Sequence, residues 1–325
     1  MKSYRIAVAA LLSTVVALFA VVPRFAIAQD KFPSRPVEFV VPWGPGGGAD
    51  QLARKLGHLM EGDIKVSFPV VNVPGATGNT GMTKLLASAA DGHSIGILIG
   101  DTLATLTSNS ARWKMSDIVP LGIMVRQPSG LFVKQDSRFK TWDDVVAEAK
   151  AKPGTIKIAI LGFGSADDMT VSFLANNGIK LVPVPYPNPG DRYTSILGNH
   201  IELLYEQAGD IKSFLDGKQM RPLLFFAETR MTESFPDTPT SKEVGLQVFL
   251  PQFRAIVVKA GTDPKRVKVL ADALAKAVRE PDYAAFLKDS LARPDSFIPV
   301  NEAAQFLEQE LKTMEGFTAL NQQKK

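Results

Sequence analysis

The chain has no cysteine in its 325 residues. That absence excludes disulfides, iron–sulfur clusters, thiolate metal sites and thiol nucleophiles together. Histidine is almost as scarce. His58, His93 and His200 stand on an expected helix, in a turn and before an expected strand, and nothing pairs them at metal-ligand spacing. No metal site and no cofactor is therefore expected. Tracts of lysine and arginine are missing too, so the electrostatic footprint that nucleic acid requires is absent. Beyond the first 28 residues, no apolar run is long enough to cross a bilayer.

Those first residues, "MKSYRIAVAALLSTVVALFAVVPRFAIA", read as a secretory signal peptide. Lys2 and Arg5 make a basic start, an apolar run extends from Ile6 to Val22, and Ala26-Ile27-Ala28 is a small-x-small site that predicts cleavage after Ala28. Removal takes Lys2, Arg5 and Arg24 with it, and the formal net charge falls from +4 to +1. Cleavage leaves 297 of the 325 residues, enough for two domains with cores of their own. The mature chain is expected to be soluble and periplasmic.

What is present is an alternation of short apolar runs with amphipathic stretches, the pattern of an α/β protein. Strands are expected at about 36–43, 65–73, 94–99, 119–126, 130–134, 156–160, 181–184, 201–205, 221–227 and 253–259. Helices are expected at 50–61, 79–89, 141–151, 168–177, 191–198 and 209–216. Runs such as "KIAI" and "SIGILIG" are apolar at successive positions, as in a parallel sheet covered on both faces. From about 264 the strands stop and three helices follow, two of them opened by Asp263-Pro264 and Glu280-Pro281. The order suggests two lobes, one formed by 29–128 plus 252–325 and the other by 129–251.

Three glycine-rich loops each follow a strand and precede a helix. They are Gly44-Pro45-Gly46-Gly47-Gly48-Ala49-Asp50, Pro74-Gly75-Ala76-Thr77-Gly78-Asn79 and Gly162-Phe163-Gly164-Ser165. Glycine lets successive N–H groups approach one anion, and the following helix adds its positive end. A carboxylate or phosphate could be held this way without a basic side chain. Gly44, Gly46 and Ala49 fit a dinucleotide fingerprint, but the acid it needs about 20 residues on is replaced by the second glycine loop. No Walker lysine follows the glycines either. Asp50 reads as a helix N-cap and a candidate ligand contact. Trp43 could wall an aromatic solute, and Thr102 follows a strand at the same sheet edge. Ser165 is not in a nucleophile elbow, yet a secreted hydrolase acting on a small carboxylated substrate stands as the alternative to a binding protein.

The stretches "FPSRPVEFVVPWGPGGGADQLARKL" and "VVNVPGATGNTGMTKLLASAADGHSIGIL" closely resemble the Bug family, the extracytoplasmic solute-binding receptors of tripartite tricarboxylate transporters. "FKTWDDVVAEAKAKPGTIKIAILGFGS", "FPDTPTSKEVGL" and "AGTDPKRVKVLADALAKAV" extend the resemblance over nearly all of 31–325. It implies a two-lobed, periplasmic-binding-protein-like fold of type II with a ligand cleft between the lobes, no catalysis, a small carboxylate ligand, a membrane permease as partner, and a monomer. The family's motif positions fall here on Gly46, Gly47, Gly48 and Asp50, and on Ala76, Thr77, Gly78 and Asn79. Gly164, Ser165, Tyr186 and Glu206 match from the opposite lobe. Two departures stand out. Asp168 replaces a common histidine, and Pro187-Asn188 replaces a common Lys-Gly after Tyr186. They predict a second lobe poorer in basic groups, hence a ligand whose distal end is neutral or cationic, because like charges in a closed cleft repel. Asp168 reads equally as a cap for the helix that begins there.

Overall fold

The structure, a computed structural model, describes residues 31–108, 111–250 and 252–323. The expected signal peptide and its cleavage site lie outside the described residues. The chain enters on β1 (Glu38–Val41), whose first glycine loop feeds α1 (Gly48–Ile64). β2 (Val70–Asn72) leads through the second loop to α2 (Asn79–Ala87), and β3 (Ser94–Ile99) runs into the short α3 (Gly100–Ala104). β4 (Ile118–Gln127) passes Pro128 directly into β5 (Ser129–Lys134). There follow α4 (Trp142–Ala151), β6 (Lys157–Ile160), the third glycine loop, α5 (Ala166–Asn176), β7 (Val182–Pro185), α6 (Pro189–Leu197), β8 (Leu203–Glu206), α7 (Lys212–Asp216) and β9 (Met220–Phe226). The chain returns on β10 (Gln252–Lys259), then α8 (Pro264–Ala277), α9 (Pro281–Asp289), β11 (Ile298–Pro299) and α10 (Val300–Gln323).

These strands make two sheets, a six-stranded one of order β11-β4-β10-β3-β1-β2 and a five-stranded one of order β7-β6-β8-β5-β9. Both are mixed rather than parallel. β1 is parallel to β2 and β3, but β10 runs antiparallel to both β3 and β4. In the second sheet β6 is parallel to β7 and β8, while β5 is antiparallel to β8 and β9. The reason is the connectivity. β5 enters from the first sheet and β10 returns to it without a crossover helix to turn them parallel.

Local chemistry explains most element boundaries. Thr141 caps α4 in a reciprocal box with Asp144, whose N–H donates to the Thr141 hydroxyl at 3.3 Å while its carboxylate accepts the Thr141 N–H at 2.9 Å. Asp263 accepts from Lys265 N–H at 2.7 Å ahead of Pro264. The expected strand at 65–73 shortens to β2 because α1 runs on to Ile64 and Lys65 ends it in the left-handed region at φ 64°. The helix expected at 209–216 splits into a 3₁₀ turn, Ala208–Ile211, and α7. β11 and α3, too short to carry a period, were not anticipated.

The long α10 straps the two sheets together. Phe306 packs edge-on to Phe253 of β10 with ring centroids 5.3 Å apart, and Phe317 meets Phe173 of α5 at 5.9 Å. Further along, Asn176 of α5 donates to Asn321 at 3.1 Å, and Asn321 donates to the Met169 carbonyl at 3.1 Å. Among the described residues no helix is long and apolar enough to cross a membrane.

Candidate functional site

The carboxyl ends of β1 and β6, in different sheets, carry loops of matching construction. Gly46 lies at φ 86°, Gly47 is the N-cap of α1, and Asp50 in the first turn accepts the Gly46 N–H at 3.0 Å. Gly164 lies at φ 76°, Ser165 is the N-cap of α5, and Asp168 accepts the Gly164 N–H at 2.9 Å. Neither aspartate is itself the N-cap. Each reaches back from the first turn and holds its glycine in a conformation that other residues adopt at a cost. Ser165 instead caps, its hydroxyl accepting the Asp168 N–H at 3.2 Å.

Asp50 is fully committed. Besides Gly46 it accepts from Arg54 Nε and Nη2 at 3.0 and 2.9 Å and from Asn72 Nδ2 at 3.1 Å. Burial works to raise its carboxyl, but these donors outweigh that and hold it below the usual carboxylate range.

The second loop is left-handed throughout, with Gly75, Ala76, Thr77 and Gly78 all at positive φ. It turns towards the third loop, where the Thr77 hydroxyl donates to the Phe163 carbonyl at 3.0 Å, bridging the sheets. Gly78 packs against the Thr102 hydroxyl, which is buried and has no hydrogen-bond partner among the described residues. Asn79 is turned inward, donating to the Ala76 carbonyl and accepting from Trp113 Nε1, both at 2.8 Å.

Between the sheets lies a narrow cavity of about 30 Å³, room for a water or two. Of the sequence-derived candidates, Trp43, Gly47, Gly48 and Glu206 line it. Gly46, Asp50, the second loop, Thr102, Gly164, Ser165, Asp168 and Tyr186 are not on its lining. Tyr186 contributes through its carbonyl, which accepts from Arg192 Nη1 at 3.3 Å.

Sequence reasoning missed two arginines on this lining, Arg192 and Arg254. Arg192 is 3% exposed and pairs with Glu206, which also accepts from the Tyr193 hydroxyl and the Gln207 N–H, each at 3.0 Å. Burial raises the Glu206 carboxyl and Arg192 pulls it back, while Glu206 outweighs the burial of Arg192 and keeps that guanidinium charged. The second sheet, expected to be poorer in basic groups, brings this one guanidinium to the lining with its charge balanced by Glu206. Arg254 pairs with Asp210, at 2.5 Å. Its signal was a charge in the middle of the apolar run "QFRAIVVK". Arg192, on an ordinary amphipathic helix, offered none.

Behind the cavity two acids meet across the sheets. Asp101, wholly buried, accepts from Gln252 Nε2 at 2.5 Å and from the Asp167 N–H at 3.4 Å. Asp167, 1% exposed, accepts the Leu161 N–H at 2.9 Å. Burial pushes both carboxyls up, and the neighbouring Asp101 pushes Asp167 further. Two such acids cannot both ionise, so the pair retains a proton well above the usual carboxylate range.

The chemical character of the cavity follows from its donors. Trp43 Nε1, Arg192 Nε and Arg254 Nη1 are buried and lack partners among the described residues. All three belong to residues on the lining, together with the first turn of α1, whose leading N–H groups have no partner within the helix. The same lining carries the carboxylates of Glu206 and Asp210, each paired with one of the two arginines.

Residues 52–316 match the family described as the tripartite tricarboxylate transporter family receptor. Protein BugT of Bordetella pertussis is 29% identical over 253 residues, covering 75% of this chain and 76% of that one. Among solved structures, MatC from Rhodopseudomonas palustris with bound malate superposes with a TM-score of 0.80 at 22% identity, over 88% of this chain and 99% of that chain. R. palustris Rpa4515 with adipate gives 0.82 at 21%, over 89% and 98%. The chain has the two-lobed fold of periplasmic binding proteins, which the structural match to the periplasmic binding protein BugD shows.

Proposed function

The chain belongs to the tripartite tricarboxylate transporter family of receptors, and on that premise we propose that it captures a small organic carboxylate and presents it to a membrane permease of the tripartite type. The observation that carries this reading is the convergence of unpartnered Trp43, Arg192 and Arg254 donors with the N-terminus of α1 on one interlobe cavity. A carboxylate there would meet charge-assisted donors in a water-poor setting. The malate and adipate bound by the two neighbouring structures point to the same class of solute.

In this reading 29–128 plus 252–325 form one lobe and 129–251 the other. Opening takes place about the crossings at Pro128 and near Gln252, and closure buries the solute and creates the surface that the permease reads. Nothing covalent is needed. Ser165, the only serine of the glycine loops, has its hydroxyl engaged as a helix cap, which disfavours the hydrolase alternative. We place the working chain in the periplasm as a monomer beginning at Gln29.

A thermal-shift screen of that chain, unfolded and refolded to strip any bound solute, tests the reading. The panel holds mono-, di- and tricarboxylates, aromatic acids, amino acids, phosphate and NAD. A solute at 100 times its dissociation constant stabilises by about 2.7 kcal/mol, a rise of roughly 4 °C for a chain of this size. A carboxylate hit is expected. A response only to NAD or phosphate would refute it.

A further inference from the structure

Two acids that are not on the cavity lining face each other where the sheets meet. Asp101 stands in the first turn of α3, after β3 of the six-stranded sheet, and Asp167 in the first turn of α5, after β6 of the five-stranded one. They are 0% and 1% exposed. Each is held by its own side. Gln252, the first residue of β10, donates to Asp101 Oδ2, and the Leu161 N–H donates to Asp167 Oδ2. Across the gap Asp101 Oδ1 accepts the Asp167 N–H at 3.4 Å, while Asp167 Oδ1 has no hydrogen-bond partner among the described residues. A buried carboxylate oxygen without a donor is costly, and a proton shared with Asp101 removes that cost. The groups packed around the pair leave it so. Arg192 of α6 draws both carboxyls down but spends its charge on Glu206. Tyr205 of β8 bonds Thr170 and stays a neutral phenol, its ionisation opposed by burial and by both acids. Asp168 is turned to the Gly164 N–H and Arg254 to Asp210. From α10, Phe317, Thr318 and Asn321 face α5 and the turn after α3, and none of the three ionises.

We propose that Asp101 and Asp167 form a proton site between the lobes, completed when the sheets come together and dismantled when they part, so that capture of a solute takes up a proton as well. The inference rests on the two-lobed receptor reading above and adds a second ligand, the proton, to it. When the lobes part, both carboxyls meet water and return towards their ordinary value, about 3.9. When the lobes meet, burial and the neighbouring acid retain one proton above that value. Between the two values closure binds a proton, so acid favours the closed arrangement. That preference falls by up to about tenfold per pH unit as pH rises through the window. A solute that stays ionised is therefore captured more tightly in mild acid, through acids it does not need to touch.

A disulfide latch across the lobes reads closure without any solute. A Cβ added at Gly162 would lie 3.4 Å from Thr77 Cβ, close to the spacing a disulfide spans, and the natural sequence has no cysteine to interfere. The chain from Gln29 carrying Thr77→Cys and Gly162→Cys is equilibrated in glutathione redox buffers from pH 5 to 8, with and without Asp167→Asn. The oxidised fraction is read by mass spectrometry after an acid quench. Dividing the latch equilibrium constant by that of the Asp167→Asn reference cancels the titration of the thiols themselves. The ratio is expected to fall as pH rises, approaching about tenfold per unit at its steepest. Asp101→Asn supplies the reference if Asp167→Asn does not fold. A ratio that stays level or rises with pH would overturn the proposal. A level ratio beside a carboxylate hit in the thermal screen removes the proton site and leaves the receptor, whereas a falling ratio with no carboxylate hit does the reverse.

Discussion

Asp50→Ala isolates what holds the first glycine loop in shape. The side chain is 6% exposed and accepts four hydrogen bonds. The two from Arg54 come from a side chain that is 57% exposed, so that helical pair contributes only about 0.3–0.5 kcal/mol. The Gly46 N–H and the Asn72 amide are different, because both meet a buried carboxylate, and such bonds contribute about 1.5–3 kcal/mol each. They share an acceptor group and are not additive, so the substitution should cost about 3 kcal/mol. For a chain of this length that is a fall of roughly 5 °C in melting temperature.

The sign of the pH dependence checks the mechanism separately. The Asp50 carboxyl is held below its ordinary value. Its contribution is therefore fully present above the unfolded carboxylate pKa, about 3.9, and is lost as pH falls through the lower folded value. Urea unfolding of parent and variant should differ by the same amount from pH 5 to 8 and converge in stronger acid. Asp168→Ala serves as the control. Its carboxylate makes the matching bond to Gly164 from a half-buried position, where water competes for it, and the loss should be smaller than at Asp50. Equal losses at the two sites, or a difference that persists into strong acid, would refute the argument that burial makes Asp50 the stronger clamp.

Two further outcomes follow from the interlobe contacts. Asp167→Asn removes the buried acid whose carboxyl is raised by burial and by Asp101. The parent should lose stability as pH rises from the ordinary carboxylate range through the raised value, because the folded state binds the proton more tightly than the unfolded one. The variant should show a flatter profile over that window in pH-dependent denaturant melts, and an unchanged slope would count against a shared proton. Thr77→Ala deletes the hydroxyl bridge to Phe163 while leaving the left-handed backbone in place. It should shift the open–closed balance towards open by about 0.5–1.5 kcal/mol, read as a fall in the closed fraction by single-molecule energy transfer between labels on the two lobes, whereas Thr77→Ser should leave it alone.

What the sequence determined by itself was whatever depends on near neighbours. Thr141 with Asp144, and Asp263 with Pro264, specify helix starts within four residues, and the alternation of apolar runs with amphipathic stretches specifies α/β. The glycine loops were legible for the same reason, since glycine takes positive φ in a strand-to-helix turn more readily than any other residue, although Ala76 and Thr77 take it in the second loop as well. Tertiary structure decided which of those residues line the cavity between the sheets. Asp50 and Asn79 carry the right chemistry at the right loops, yet they spend it internally, on Gly46 and Asn72 in one case and on Trp113 in the other. Arg254 meets Asp210 across 44 positions, and Gln252 meets Asp101 across 151. No local period encodes such pairs. They exist because β10 returns between β3 and β4, and that return brings a buried guanidinium to the end of α1. Side-chain type and spacing report the local backbone. The charges that meet in a closed cleft are set by the topology that closes it.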